Sequence, residues 1–201
     1  MKKFTSSEAV KYGWRETKKN FWFFACLLAV ATVTYYFLSS TSTFGNQTNL
    51  LVGSSALAVS LFLNIIVGMG IIHISLKIYD RRKVRYDDIV ETAPLFFRYI
   101  IASFLYTCIV IAGLVLLIVP GIVWAIKYGF YPFVMIDRNT GVIESLKKSA
   151  EITEGAKLEL LTLGFLLGLI NFAGLIPLGL GLFLSVPIGW MAAVYAYRRL
   201  C

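Results

Sequence analysis

The sequence predicts an all-α polytopic membrane protein, a bundle of about six transmembrane helices with amphipathic helices on the cytoplasmic side. Of its 201 residues, 58% are hydrophobic and only 15% are charged, whereas an average soluble protein has about 25% charged residues. The mean hydropathy is +0.76. The apolar runs are continuous and approach the ~20 residues that cross a bilayer, unlike the short alternating strands of a membrane β-barrel.

The first 20 residues are polar and predict a cytoplasmic amphipathic helix. Their length separates the first lysines from the first apolar run, which argues against a cleavable signal peptide and predicts an uncleaved anchor. Lys11, Trp14, Arg15 and Lys18 are predicted to contact anionic headgroups, because each basic residue near such a surface contributes ~1 kcal/mol.

The apolar runs form one integral membrane domain, residues 1–201. Uncharged connections follow the first, third and fifth runs, and the second of these is marked by the turn signal Pro120-Gly121. Gly164 and Gly168 form a small-x-x-x-small pattern that predicts close helix packing, and Pro132 predicts a kink. The predicted spans cover about residues 21–38, 54–76, 99–119, 122–136, 158–176 and 180–197.

The charged residues define the orientation of these spans. Eighteen of the 19 basic residues and all 11 acidic residues lie before residue 21, in residues 77–98, in residues 137–159 or at residues 198–199. Because basic loops stay in the cytoplasm, both termini are predicted to be cytoplasmic, in the cytoplasmic (cell) membrane. A five-span alternative would export residues 137–157. We therefore attribute the net charge of +8 to topology signals and to membrane lipids as partners. We do not expect nucleic acid as a partner.

Two polar stretches resemble each other within the chain. Residues 8–17 (EAVKYGWRET) and 144–153 (ESLKKSAEIT) share Glu, Lys, small residues and Thr at matching positions, and each precedes a span. Between them lie residues 87–98 (DDIVETAPLFFR), acidic then apolar, before the third span. One interpretation is three repeats of a cytoplasmic helix followed by a two-span hairpin, and chance similarity is the alternative. The second stretch is amphipathic and predicts an interfacial helix.

Residues typical of catalysis or metal binding are sparse. His73 is the only histidine, and Cys26, Cys108 and Cys201 lack metal-ligand spacing. No phosphate-binding loop, nucleophile elbow or intramembrane acid pair occurs in the sequence. We therefore expect no enzyme activity, no metal and no cofactor.

Lys127 is the one charge inside an apolar run, and it has three interpretations. It snorkels to the outer headgroups, it faces inward, or it is neutral in a dry bundle. In the inward case it would bond to Asn64, Asn171 or Tyr106 and bind an anionic headgroup or solute. Together these four residues are the candidate polar or lipid site.

The C-terminal half, about residues 116–200, resembles a bacterial family. It is similar to multi-pass membrane proteins that share the membrane domain of some glycerophosphodiester phosphodiesterases, a group that includes stand-alone inner-membrane proteins. The phosphodiesterase domain itself is absent, so the resemblance implies a membrane fold and no catalysis. Ser145 departs from the usual Ala. The matching positions are Pro120, Gly121, Ile122, Asp137, Ser149, Thr153, Gly155, Pro187, Tyr197 and Arg198.

The sequence thus favours a non-enzymatic integral membrane protein that organises lipid or assists another membrane protein. The alternative is a small-molecule or ion permease with a polar path near Lys127, Asn64 and Asn171. A lipid-modifying enzyme is a third hypothesis. The oligomeric state is left open.

Overall fold

The computed structural model describes residues 4–25, 28, 29, 32, 50–84, 88, 91–175 and 181–201. No strand occurs among these residues, which confirms the all-α prediction. A 3-10 turn, Ala93–Leu95, precedes α3. The delimited α-helices are α1 (Ser6–Lys19), α2 (Leu50–Tyr79), α3 (Phe96–Leu116), α4 (Ile118–Tyr128), α5 (Tyr131–Arg138), α6 (Val142–Ile152), α7 (Lys157–Leu175) and α8 (Leu182–Leu200).

Four helical stretches of the described chain are long and apolar enough to cross a membrane. They are Phe62–Tyr79, Ala93–Leu116, Ile118–Arg138 and Lys157–Leu175, and they correspond to the second to fifth predicted spans. The first predicted span, 21–38, lies mostly outside the described residues. The sixth overlaps α8, which is not among the four. Six spans and three repeats therefore remain predictions.

Helix α8 is the centre of the bundle and is buried along most of its length. It packs against α1, α2 and α7. Helix α1 runs antiparallel to it, because Tyr12 contacts Tyr195 near one end and Phe21 lies beside Leu184 near the other. The buried residues of α8 are Ser185, Pro187, Ile188, Met191, Ala192, Val194, Tyr195, Ala196, Tyr197 and Leu200.

Small residues let α1 approach α8 closely. Ala9, Gly13 and Thr17 are buried on one face of α1. A Cβ added at Gly13 would lie 2.5 Å from the carbonyl oxygen of Ile188, which is backbone and cannot rotate away. The pairing of these two helices therefore requires glycine at this position.

A single extended residue, Leu117, separates α3 from α4. Its φ is −166°, and a Cβ on Gly113 would lie 2.9 Å from the Cα of Gly121, so the two helices are tightly apposed there. The turn therefore lies at Leu117, three residues before the predicted position at Pro120-Gly121. Pro120 instead lies in the first turn of α4, where a missing N–H loses no intrahelical hydrogen bond.

The fourth candidate span consists of two helices, α4 and α5, that meet at Gly129 and Phe130. The predicted kink at Pro132 thus falls just before that residue, which occupies the first turn of α5. Helix α5 ends at Arg138 and is followed by the capping residue Asn139, whose φ of 51° is left-handed.

The predicted close packing at Gly164 and Gly168 is not found among the residues that the structure describes. Neither glycine has a described heavy atom within 4 Å of an added Cβ. Close approach occurs instead where α7 ends and α8 begins, because a Cβ on Gly181 would lie 2.6 Å from the Cα of Gly174.

Candidate functional site

One arginine joins three helix ends. The Nη1 and Nη2 of Arg198 lie 2.8 Å from the Oδ2 and Oδ1 of Asp137, and Nη2 lies 2.7 Å from the Oδ2 of Asp80. Burial of Arg198 opposes its charge, but hydrogen bonds to Asp137 and the two carboxylate charges outweigh this and raise its pKa. The ends of α2, α5 and α8 are thereby fixed to one another.

Tyr197 supports the same carboxylate. Its hydroxyl donates to the Oδ2 of Asp137 over 3.0 Å, and its side chain is fully buried. Phe130 and Phe133 stack against its ring. Three positions singled out by the family resemblance, Asp137, Tyr197 and Arg198, therefore form one network, whereas nothing in the sequence pattern pointed to Asp80.

A second ionic cluster joins the last turns of α2 to the segment that follows it. The Nζ of Lys77 lies 3.0 Å from the Oδ1 of Asp88 and 2.9 Å from the Oε2 of Glu91. The same Glu91 oxygen lies 3.7 Å from the Nε2 of His73. The hydrogen bond and charge of Lys77 lower the pKa of Glu91 below its usual 4.5. Nothing in the sequence pattern pointed to this carboxylate as a neighbour of His73.

A basic pocket of about 720 Å³ opens between α1 and the end of α2. Its described lining has four cationic side chains and one carboxylate, so the pocket is suited to an anion. One wall of the pocket comes from residues 78–84 at the end of α2. Asp80 lies within this segment, so its contact with Arg198 holds the wall in place. The lining residues are Tyr12, Arg15, Glu16, Lys19, Asn20, Ile78, Tyr79, Arg81, Arg82 and Val84.

Packed tyrosines connect the two walls of the basic pocket. The rings of Tyr12 and Tyr79 are 5.3 Å apart, and Tyr12 is 5.0 Å from Tyr195. The guanidinium of Arg15 lies 5.5 Å above the Tyr12 ring. Burial raises the pKa of Tyr12 to about 12, and the Glu16 carboxylate adds to the shift. The phenol is therefore neutral at physiological pH and adds no negative charge to the pocket.

A capping turn places the two arginines of the α2 wall. The N–H of Arg82 donates to the carbonyl of Lys77 and the N–H of Arg81 to that of Ile78, which is the hydrogen-bond pattern of a Schellman motif. Arg81 occupies the left-handed position with a φ of 54°. Glycine is the usual residue there because it has no Cβ.

An apolar groove of about 240 Å³ lies on the opposite flank of α1. Trp14, Thr17, Lys18, Phe21 and Leu184 line it. The four residues predicted to contact headgroups therefore do not share one surface. Arg15 lines the basic pocket, Trp14 and Lys18 line this groove, and Lys11 is exposed. Their contact with headgroups remains a prediction.

The hydroxyls of Ser149 in α6 and of Thr153 just after it lie beside backbone groups at the break between α4 and α5. Ser149 donates to the carbonyl of Lys127 over 3.1 Å, and the N–H of Phe130 donates to the Oγ of Ser149. The Thr153 hydroxyl lies 3.1 Å from the same Lys127 carbonyl and 2.9 Å from the carbonyl of Ser149. An unsatisfied backbone group in an apolar bundle is expensive. These two positions of the family resemblance therefore have a structural role in holding a broken span.

No described contact joins Lys127, Tyr106 and Asn171 to one another, and their grouping with Asn64 in one polar site remains a prediction. The Nζ of Lys127 lies 5.4 Å from the ring centroid of its neighbour Tyr128. Tyr106 donates to the carbonyl of Ala125. The Oδ1 of Asn171 is buried and has no hydrogen-bond partner within the described part of the chain. Whether Lys127 binds a ligand remains a prediction.

Comparison with known proteins gives a weak match. The chain is 30% identical over 90 residues to UPF0259 membrane protein SG1383 of Sodalis glossinidius (strain morsitans), which is 44% of this chain and 36% of that protein. No family model and no solved structure match. Nothing in these comparisons links the chain to glycerophosphodiester phosphodiesterase membrane domains, so that kinship remains a prediction. The match and the four apolar helices indicate an integral membrane protein.

Proposed function

We propose that this chain is a non-enzymatic protein of a bacterial cytoplasmic membrane that binds anionic lipid headgroups and organises lipid around itself or a membrane partner. The basic pocket between α1 and the end of α2 is the observation that carries the proposal. Basic pockets between helices on the cytoplasmic side are typical sites for phosphate-bearing headgroups.

Charge and accessibility favour an anion in this pocket. Among the residues that the structure describes, Arg15, Lys19, Arg81 and Arg82 line the pocket together with one carboxylate, Glu16. The side chain of Arg15 is 73% exposed, so a headgroup reaches it without displacing protein. A guanidinium also offers paired N–H donors that match the oxygens of a phosphate.

The position of the pocket favours a lipid. It lies where the candidate span Phe62–Tyr79 ends, at the depth where headgroups meet a spanning helix. Arg81 and Arg82 follow that span directly. The excess of basic residues at this end supports a cytoplasmic location, where anionic lipids create a negative surface potential.

The experiment compares two triple variants of equal charge. Arg15, Lys19 and Arg82 are replaced by Gln in one, and Arg98, Lys147 and Lys157 in the other. Each delipidated protein in neutral detergent is titrated with phosphatidylglycerol or phosphatidylcholine, and bound lipid is counted by native mass spectrometry.

The wild-type chain and the second variant should retain phosphatidylglycerol over phosphatidylcholine, and the pocket variant should lose this preference. The loss should be about fivefold for each cation, which corresponds to ~1 kcal/mol. An equal loss in both variants would mean that net charge, and not the pocket, attracts the lipid.

The permease alternative is supported by a different observation, the buried Oδ1 of Asn171. A buried polar atom to which no described residue hydrogen-bonds is a candidate contact for a transported solute or ion. Because the solute is not identified, the test uses proton or potassium flux in liposomes containing the wild-type chain or Asn171→Leu. Flux above protein-free liposomes that Asn171→Leu abolishes would favour the permease.

A further inference from the structure

We infer that the basic pocket contains two phosphate subsites and prefers a lipid that carries two phosphodiester groups, such as a diphosphatidylglycerol. This inference rests on the proposed function and specifies its ligand. The first subsite consists of Arg15 and Lys19 on α1, and the second consists of Arg81 and Arg82 after α2.

The two pairs of cations belong to separate walls. Arg15 and Lys19 are four residues apart and therefore share one face of α1. The other pair projects from the capping turn at the end of α2. A volume of about 720 Å³ is within the range of about 300–1,000 Å³ for small-molecule sites, and a single phosphate would fill a small part of it.

The carboxylate divides the charge unevenly between the subsites. The Oε1 of Glu16 lies 3.6 Å from the Nε of Arg15, so it offsets part of the charge on the α1 wall. Two phosphodiesters therefore neutralise most of the charge in the pocket, whereas one leaves a wall of paired cations uncompensated. That difference is the physical basis of the preference.

The backbone of Arg81 points to the same conclusion. Its left-handed conformation disfavours any residue with a Cβ, and glycine would close the Schellman turn at lower energy. Strain of this kind persists where the surrounding structure or function requires the residue. The arginine side chain supplies a cation to the second subsite, which glycine cannot do.

Arg81→Gly separates stability from binding. Removal of the strained Cβ should raise the unfolding temperature of the full chain by about 2–4 °C, whereas loss of the cation should weaken diphosphatidylglycerol binding about fivefold. Asn139→Gly is the matched control, because Asn139 is also left-handed and lies outside the pocket. It should raise the unfolding temperature without changing lipid binding.

The titrations use the delipidated full chain in neutral detergent with diphosphatidylglycerol, phosphatidylglycerol or free pyrophosphate. At equal total phosphate, we expect diphosphatidylglycerol to bind at least about fivefold more tightly than phosphatidylglycerol, and Arg81→Gly to remove most of this difference.

Equal binding of the two lipids would overturn the two-subsite inference and leave the proposed function intact. Binding of neither lipid would overturn both. Pyrophosphate that binds more tightly than either lipid would show that the pocket takes a soluble anion. Unchanged lipid preference in Arg81→Gly would remove Arg81 from the subsite.

Discussion

Arg198 holds Asp137 with both of its terminal nitrogens, and each of the two N–O distances is 2.8 Å. The same guanidinium reaches Asp80, 118 residues away in the sequence. The two-point contact depends on the planar fork of arginine, since a lysine ammonium is a single point charge. One side chain therefore ties the end of α8 to the ends of α2 and α5.

Arg198→Lys should keep the charge and lose the paired contact. We expect the free energy of unfolding to fall by about 1–3 kcal/mol, the range for hydrogen bonds between charged groups. Unfolding in mixed micelles measures the difference. Arg199→Lys is the control, because Arg199 is exposed, and its effect should stay within about 0.5 kcal/mol. Equal effects of the two variants would contradict the role assigned to Arg198.

Gly13→Ala should separate α1 from α8. The added Cβ would meet the carbonyl oxygen of Ile188 at 2.5 Å, and overpacking of this kind costs about 1–3 kcal/mol. Gly164→Ala is the control, because no described atom lies within 4 Å of a Cβ added there, and alanine should stabilise this helix by up to about 1 kcal/mol. Unfolding should therefore shift in opposite directions, and a stabilised Gly13→Ala would refute the close helix contact.

Ser149→Ala should weaken the junction of α4 and α5. It removes one donor to the Lys127 carbonyl and leaves the N–H of Phe130 without its acceptor, so we expect a loss of about 1–3 kcal/mol in unfolding free energy. Thr162→Val is a control, because that hydroxyl bonds to its own helix at an exposed position.

Lys127→Met extends the same test. The hydrogen bonds at this position use the backbone carbonyl, which methionine retains. Its effect on stability should therefore be smaller than that of Ser149→Ala. A larger effect would mean that the Lys127 side chain, and not its backbone, holds the junction.

The pair formed by Lys77 and Glu91 should make stability depend on pH. Because the pKa of Glu91 lies below its usual 4.5 in the folded chain, the unfolded chain binds more protons near that pH. The contribution is present above about pH 4.5 and is lost as the pH falls through the lower folded value. Unfolding of the wild type and Glu91→Gln across this range measures it, and parallel pH profiles would contradict the shift.

The sequence predicts the fold class and the grouping of charges well. Apolar length alone identifies four helices that the structure also delimits, because crossing a bilayer requires long continuous runs. The charged segments that the sequence groups together also contact one another in the structure. Arg198 contacts Asp80 and Asp137, and Ser6 donates to the carbonyl of Glu159. Membrane orientation and location remain predictions.

Other features depend on contacts that no local pattern encodes. Gly164 and Gly168 have the spacing of a packing motif but contact no described residue at an added Cβ, whereas the isolated Gly13 contacts another helix. Lys127 attracts notice as a charge, yet its described hydrogen bonds use its backbone carbonyl. The basic pocket joins residues 12–20 to residues 78–84, and their proximity results from the packing of Tyr12 on Tyr79.

The antiparallel pairing of α1 with α8 has a consequence for biogenesis. The first contact of α1 with the C-terminal half, from Ser6 to Glu159, already spans 153 residues, and α8 is synthesised later still. At about 5–20 residues per second, the ribosome needs roughly 8–30 s to make that interval. During this time the small-residue face of α1 lacks α8, the helix it packs against in the folded protein. The nascent chain therefore passes through a stage in which lipid, the insertion machinery or a chaperone covers this face, and arrival of α8 displaces the temporary occupant.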